Sequence, residues 1–233
     1  MCGRFALHSP ASLLVDRFAA TVHGDAPAPR YNAAPMQTLP VIRFNPETKE
    51  RRLSPLRWGL VPVWAKDPSG AAKMINARAE GVADRPAFRS AFKKRRCLVP
   101  FDAYYEWRKV DGAKIPHAIA TDSNGPDAFA GLWEGRKDPD SGEWLHTFTI
   151  ITTEANDATR AIHDRMPVIL PPDRWSAWLG EEEISPDALQ AMLSPYPSTH
   201  MRVWQVSKDV GSVKNDRADL IDAVDSGPAI NPA

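Results

Sequence analysis

Two cysteines in 233 residues are too few for a disulfide framework, and Cys2 and Cys97 do not form the Cys-x-x-Cys spacing of a zinc site. The six histidines are scattered, and none stands at ligand spacing from a cysteine, so no metal and no cofactor is expected. Neither sign of charge is in excess: 29 basic and 29 acidic residues leave a formal net charge of zero. That balance argues against binding a polyanion by bulk electrostatics, although a local basic groove remains compatible with it. No apolar run approaches the roughly 18–20 residues of a transmembrane helix. The opening MCGRFALHSP places Arg4 inside its one apolar patch and lacks the apolar core of a signal peptide. The expectation is a cytoplasmic protein without a membrane association, or a nuclear one in a eukaryote. No internal repeat or low-complexity segment is evident.

What is present is 43% hydrophobic and 25% charged, the make-up of a globular domain with a substantial core. Twenty-two prolines and eight tryptophans point to many short elements with shaped connections rather than to a helical bundle. Strand-like runs occupy residues 39–44, 53–57, 97–101, 103–107, 117–121, 128–133, 145–152, 167–170 and 202–206. Helical spacing is found over 9–18, where Ser9 reads as an N-cap before Pro10 and Leu13, Leu14 and Phe18 share a face. It recurs over 86–94, 172–179 and 186–193, each opening on proline. Strands without regular intervening helices disfavour a doubly wound sheet. The predicted fold class is α+β: a single domain with a mainly antiparallel, barrel-like sheet and a few short flanking helices. The domain is placed at 1–215, and the polar, then Ala/Pro/Asp-rich, stretch 216–233 is read as a C-terminal tail.

Cys97 lies in the apolar run RRCLVPF and reads as a buried, inert thiol. Cys2 differs by position, because loss of Met1, which cells remove when the next side chain is small, would leave a 1,2-aminothiol at the chain start. An α-amine titrates near roughly 7.7–8.0 and a thiol near about 8.5, so both nucleophiles are accessible around neutrality. An aldehyde meeting this pair forms an imine with the amine, and the thiol then closes on the imine carbon to give a thiazolidine. A lysine imine lacks that second step and hydrolyses readily.

Seven motifs stand in order along the chain: MCGRF at 1–5, YNAAP at 31–35, RWGLVP at 57–62, INARAE at 75–80, YEW at 105–107, IHDRMP at 162–167 and VGSVKN at 210–215. Together they closely resemble the SRAP family (SOS-response-associated peptidase), proteins that shield abasic sites in single-stranded DNA. The resemblance implies a monomer whose partner is single-stranded DNA containing an abasic site, nucleoid-associated while bound, self-crosslinking through Cys2 in the DNA damage response. It further implies that Asn76 holds the aminothiol and sugar, and that Glu106 and His163 act as acid and base. Such groups are needed because the abasic sugar is mostly a closed hemiacetal, and both ring opening and imine formation move protons. Arg4, Arg78 and Arg165 match positions that contact phosphates, for which the planar guanidinium is suited.

Trp64 and Pro35 match surfaces against which flanking bases stack. The chain departs from the family in having Ala65 where relatives carry an aromatic beside this tryptophan. A further basic strip, Arg85, Arg89, Lys93, Lys94, Arg95 and Arg96, is read along the helix at 86–94. Two other readings stay open at this point: a thiol peptidase or autoprotease using Cys2, His163 and Glu106, and a non-covalent single-strand binder in which Cys2 is incidental.

Overall fold

The computed structural model describes residues 2–25, 28–65, 67–137 and 141–224. In chain order the elements are β1 (Phe5–Leu7), α1 (Ala11–Phe18), β2 (Ala20–Val22), β3 (Arg30–Ala33), β4 (Thr38–Asn45), β5 (Glu50–Trp58), β6 (Asn76–Arg78), α2 (Arg89–Lys94) and β7 (Arg96–Phe101). They continue with β8 (Ala103–Val110), β9 (Ala113–Thr121), β10 (Asp127–Lys137), β11 (Trp144–Glu154), β12 (Arg165–Pro167), β13 (Ile169–Leu170), α3 (Trp175–Leu179), α4 (Pro186–Ala191) and β14 (Met201–Gln205). The α+β, mainly antiparallel expectation holds. No helix among the described residues is long and apolar enough to cross a membrane.

Five strands close on themselves. β4 pairs with β5 and β7, β7 with β10, β10 with β11, and β11 returns to β5 through a parallel pairing at Thr147↔Arg57 and Phe148↔Trp58. Closure removes the exposed sheet edges that a flat arrangement would leave. A second sheet, ordered β14-β9-β8-β1-β3, packs against this barrel. Phe5 of β1 reaches into the shared core, 5.3 Å from Trp58 and 5.8 Å from Phe129 between ring centroids, while Phe101 stacks on Phe129 at 3.8 Å. All are buried, and each contributes about 1.5–3 kcal/mol through removal of apolar surface from water. Burying Phe5 is what pins the chain start into the barrel mouth.

A two-residue turn sets one register that matters below. Asp111 and Gly112 have φ of 48° and 80°, the left-handed pair that matches the twist of a tight hairpin. The turn joins Val110 to Ala113 and thereby places Glu106 opposite His117.

Helix positions follow the proline signals, with shorter spans than expected. Residues 172–174 form a 3₁₀ turn before α3, and Ser185 caps α4, accepting from the Ala188 N–H at 3.2 Å. Ser9 does not cap α1: its hydroxyl donates to Asp102 at 2.6 Å, and Pro10 occupies the cap position. Leu14 and Phe18 are buried, whereas Leu13 faces solvent. Cys97 is fully buried, as expected. The composition-based boundary at 215 falls within packed structure. Asp216 accepts from the N–H groups of Tyr31 and Asn32 at 2.6 and 3.1 Å, Leu220 is buried, and Val206 bridges Ala223. Residues 225–233 of the expected tail lie outside the described residues.

Candidate functional site

Cys2 lies just ahead of β1 and exposes none of its surface. β1 pairs with β8 through Phe5↔Tyr104 and Ala6↔Ala103, and the ladder runs on through the Tyr105 N–H, which donates to the Arg4 carbonyl at 3.0 Å. That extension carries the first residues alongside Glu106, which is only 5% exposed. Burial pushes the Cys2 thiol up from its ordinary value, and the Glu106 carboxylate adds to the rise, while the backbone N–H of Arg4 opposes it. The Tyr104 phenol is raised well above its usual range by burial first, and then by Cys2 and Glu106. Thiol, carboxyl and phenol therefore share one desolvated pocket.

Asn76 joins this group from another strand. Its side-chain amide donates to the Cys2 carbonyl at 2.8 Å. β6 lies parallel to β11 with Ile150↔Asn76 and Thr152↔Arg78 in register, so Asn76 and Arg78 share a face while Ala77 is buried on the other. Arg78 is exposed. On the opposite edge of β11, β12 pairs at Glu154↔Arg165, which sets Arg165 about two strand spacings, or roughly 10 Å, from β6. His163 precedes it in the same turn. Its Nδ1 lies 2.8 Å from Asp164 and accepts from the Arg165 N–H at 3.0 Å.

The other predicted contacts divide. Trp64 is 63% exposed and borders a cleft of about 270 Å3 with Leu60, Ala71 and Met74. Pro35 is half-buried and precedes exposed Met36, whose N–H donates to the Trp58 carbonyl at 2.8 Å. Gly59 brings these two loops together: at φ 127° a Cβ there would lie 2.9 Å from the Ala71 carbonyl oxygen and 3.2 Å from the Met36 sulfur. Arg165 is bound by both Glu80 oxygens, one at 3.0 Å, and by the Thr152 carbonyl. Arg4 donates inward to Asn32 at 2.9 Å and the Val210 carbonyl at 2.8 Å, and lies over Trp107. The basic strip shortens. Arg96 is buried and donates to the carbonyls of Trp178, Phe92 and Lys93, and Arg95 pairs with Glu134 at 2.8 Å, leaving Arg85, Arg89, Lys93 and Lys94 exposed.

The sequence profile of the SOS response associated peptidase (SRAP) family matches residues 1–213. The chain belongs to the SRAP family. It is 45% identical over 228 residues to the abasic site processing protein YoaM of Bacillus subtilis, covering 96% of this chain and 98% of the relative. The abasic site processing protein YedK of Escherichia coli is 30% identical over 230 residues, covering 96% and 100%. The crystal structure of a protein from Bacteroides thetaiotaomicron superposes with a TM-score of 0.87 at 26% identity, covering 96% of this chain and all of that one.

Within this SRAP chain, sequence reasoning missed two groups beside Glu106. Tyr104 brings a buried hydroxyl, without a hydrogen-bond partner among the described residues, next to Cys2 and Glu106. His117 is buried opposite Glu106, with Nδ1 3.0 Å from the Ile115 carbonyl, a contact that assigns the proton to Nδ1 and leaves Nε2 as an acceptor. Burial holds its pKa below the ordinary value. The signal for His117 was the Asp-Gly turn, which fixes the pairing; Tyr104 carried none beyond adjacency to the Tyr-Glu-Trp motif.

Proposed function

We propose that this protein processes abasic sites in single-stranded DNA by forming a covalent thiazolidine crosslink through Cys2 after loss of Met1. The observation that carries this reading is the convergence of Asn76 and Glu106, from separate strands, on Cys2, whose buried thiol is held protonated beside them. The relatives described above are abasic site processing proteins, which supports the abasic-site part of this reading.

Chemically, the freed amine adds to the sugar aldehyde to give a carbinolamine. Expulsion of water leaves the imine, and addition of the sulfur to the imine carbon, with its proton passing to nitrogen, closes the five-membered ring. The net reaction is aldehyde plus aminothiol to thiazolidine plus water. Glu106 is the proton-transferring group next to the sulfur, and His163 is assigned to the sugar side, each step contributing roughly 10²–10⁴ in rate. Arg78 meets a phosphate beside the lesion, and Arg165 and Arg4 do so only on exchanging their internal partners. Trp64 and Pro35 hold the flanking bases by stacking. Recognition then rests on shape, phosphates and the aldehyde, since the lesion has no base edge to read.

The test is a single-stranded oligonucleotide with one uracil, treated with uracil glycosylase, incubated with protein and run on a denaturing gel. A heat-stable shifted band that is lost in Cys2→Ala, and short-lived in Cys2→Ser, supports the crosslink. An equally durable band in the serine variant would overturn the ring-closure chemistry, and peptide cleavage without any band would favour the peptidase reading.

A further inference from the structure

The β10–β11 hairpin presents aromatic surface that the chemistry at Cys2 leaves unused. Trp144 is 62% exposed, and the His146 imidazole lies nearly parallel to it, 5.9 Å between centroids at 14°. Trp133 stands against the other side of His146 at 6.1 Å. Register explains the grouping: Lys137↔Trp144, Gly135↔His146 and Trp133↔Phe148 put these side chains on one face of the hairpin. A Cβ on Gly135 would come within 3.2 Å of the imidazole, so glycine there leaves the room the ring occupies. Together with Val63, which is 58% exposed, they line an open groove of about 450 Å3.

Two cations flank the aromatic face: Arg43 lies over the Trp133 ring at 4.5 Å and Lys137 stands opposite Trp144, while Arg95 on the rim is paired with Glu134 at 2.8 Å. Burial, and then Arg43, holds the His146 pKa below its ordinary value, so the ring is neutral and offers a π face near pH 7. The groove also adjoins the candidate base-stacking surface through two neighbouring residues, Val63 on the groove and Trp64 on the other cleft. The Gly59 N–H donates to the Phe148 carbonyl and the Val61 N–H to the Thr147 hydroxyl, both at 2.9 Å, so this loop runs back along β11 and places Val63 in the groove beside Trp64. Ile150 faces Asn76 and Trp144 lies six residues earlier, a span of about 20 Å along the strand.

We propose that the Trp144–His146 face is a second contact for the DNA strand, on which a base up to about six nucleotides from the lesion stacks, six corresponding to the roughly 3.4 Å rise of a helically stacked strand. The occupant is single-stranded DNA, chosen by the exposed stacked rings, the flanking Arg43 and Lys137 and the adjacency of Val63 to Trp64. The proposal rests on the DNA reading above.

The experiment compares wild type, Trp144→Ala and Trp144→Phe by equilibrium binding to oligonucleotides carrying a tetrahydrofuran abasic analogue, which has no aldehyde. One oligonucleotide has three nucleotides on each side of the lesion, a second has ten on each side, and two more extend a single flank. Loss of the indole is expected to weaken the long oligonucleotide roughly five- to hundredfold, to leave the short one unchanged, and to act through only one of the two flanks. Trp144→Phe restores most of the loss, and crosslinking of a true abasic site at saturating DNA is unaltered. Equal affinity of Trp144→Ala and wild type for the long oligonucleotide overturns the proposal, as it would if the groove served a protein partner. A wild type that neither binds nor crosslinks any of these strands overturns the underlying DNA reading, and a wild type that crosslinks normally isolates a failure to this face alone.

Discussion

The side-chain amide of Asn76 donates a 2.8 Å hydrogen bond to the backbone carbonyl of Cys2, tying a three-residue strand to the first residues of the chain. Such a bond contributes about 0.5–1.5 kcal/mol. Asn76→Ala is therefore expected to slow crosslinking by several-fold up to tenfold in single-turnover gels, with a loss of stability in urea no larger than that contribution. A normal rate in this variant would show that the amide only tethers the chain.

Glu106 lifts the Cys2 thiol, second only to burial, and is also assigned the proton transfers beside it. Glu106→Gln separates the two effects because it keeps the shape and removes the charge. The thiol should titrate at lower pH than in wild type, read by the pH dependence of alkylation, even as crosslinking falls by roughly 10²–10⁴. A more ionisable thiol together with faster crosslinking would reverse the assignment.

Arg78 and Arg165 should not be equivalent, although both were expected to bind phosphate. Arg78 is exposed, whereas Arg165 is held by Glu80 and the Thr152 carbonyl, and Glu80 is in turn depressed by that pairing. Arg78→Ala is predicted to weaken DNA binding and to reduce the slope of log K against log salt by about one. Arg165→Ala should change that slope less. Glu80→Gln should strengthen binding if releasing the guanidinium frees it for phosphate. Equal slopes for the two alanine variants would contradict this ranking.

Alkaline pH should destabilise the fold earlier than composition suggests. Burial raises Cys97, and burial also raises Tyr104 and Tyr105, the latter helped by Asp216. In the unfolded chain these groups lose protons near about 8.5 for the thiol and 10 for the phenols, while the folded chain retains them. The unfolded state then binds fewer protons, so stability is intact below pH 8 and falls as pH rises through this window, by about 1.4 kcal/mol per unit for each such group. Urea midpoints between pH 7 and 11 check the sign; a flat profile would mean that these side chains are solvated in the folded protein.

The long central strands were readable without a structure. β7, β10 and β11 are strands of 6 to 11 residues built around apolar stretches, and β8 carries Glu106 in a recognisable motif. The strands that position the site, β1, β3 and β6, have three or four residues each, too short for alternation to show. Ser9 followed by proline looks like a helix cap, and only the fold reveals that Asp102, 93 residues on, takes its hydroxyl. Arg96 and Arg165 look like surface cations for the same reason, since the carbonyls of Trp178 and the carboxylate of Glu80 are distant in the chain.

By itself, the order of residues determined the family and the barrel-like strand content and singled out Cys2 as the candidate nucleophile, because these depend on residue type and local spacing. Tertiary structure decided which arginines remain free, how deeply Cys2 is desolvated, and which groups face Glu106. Those properties arise where strands far apart in sequence close into a barrel and exclude water, and no local pattern encodes them.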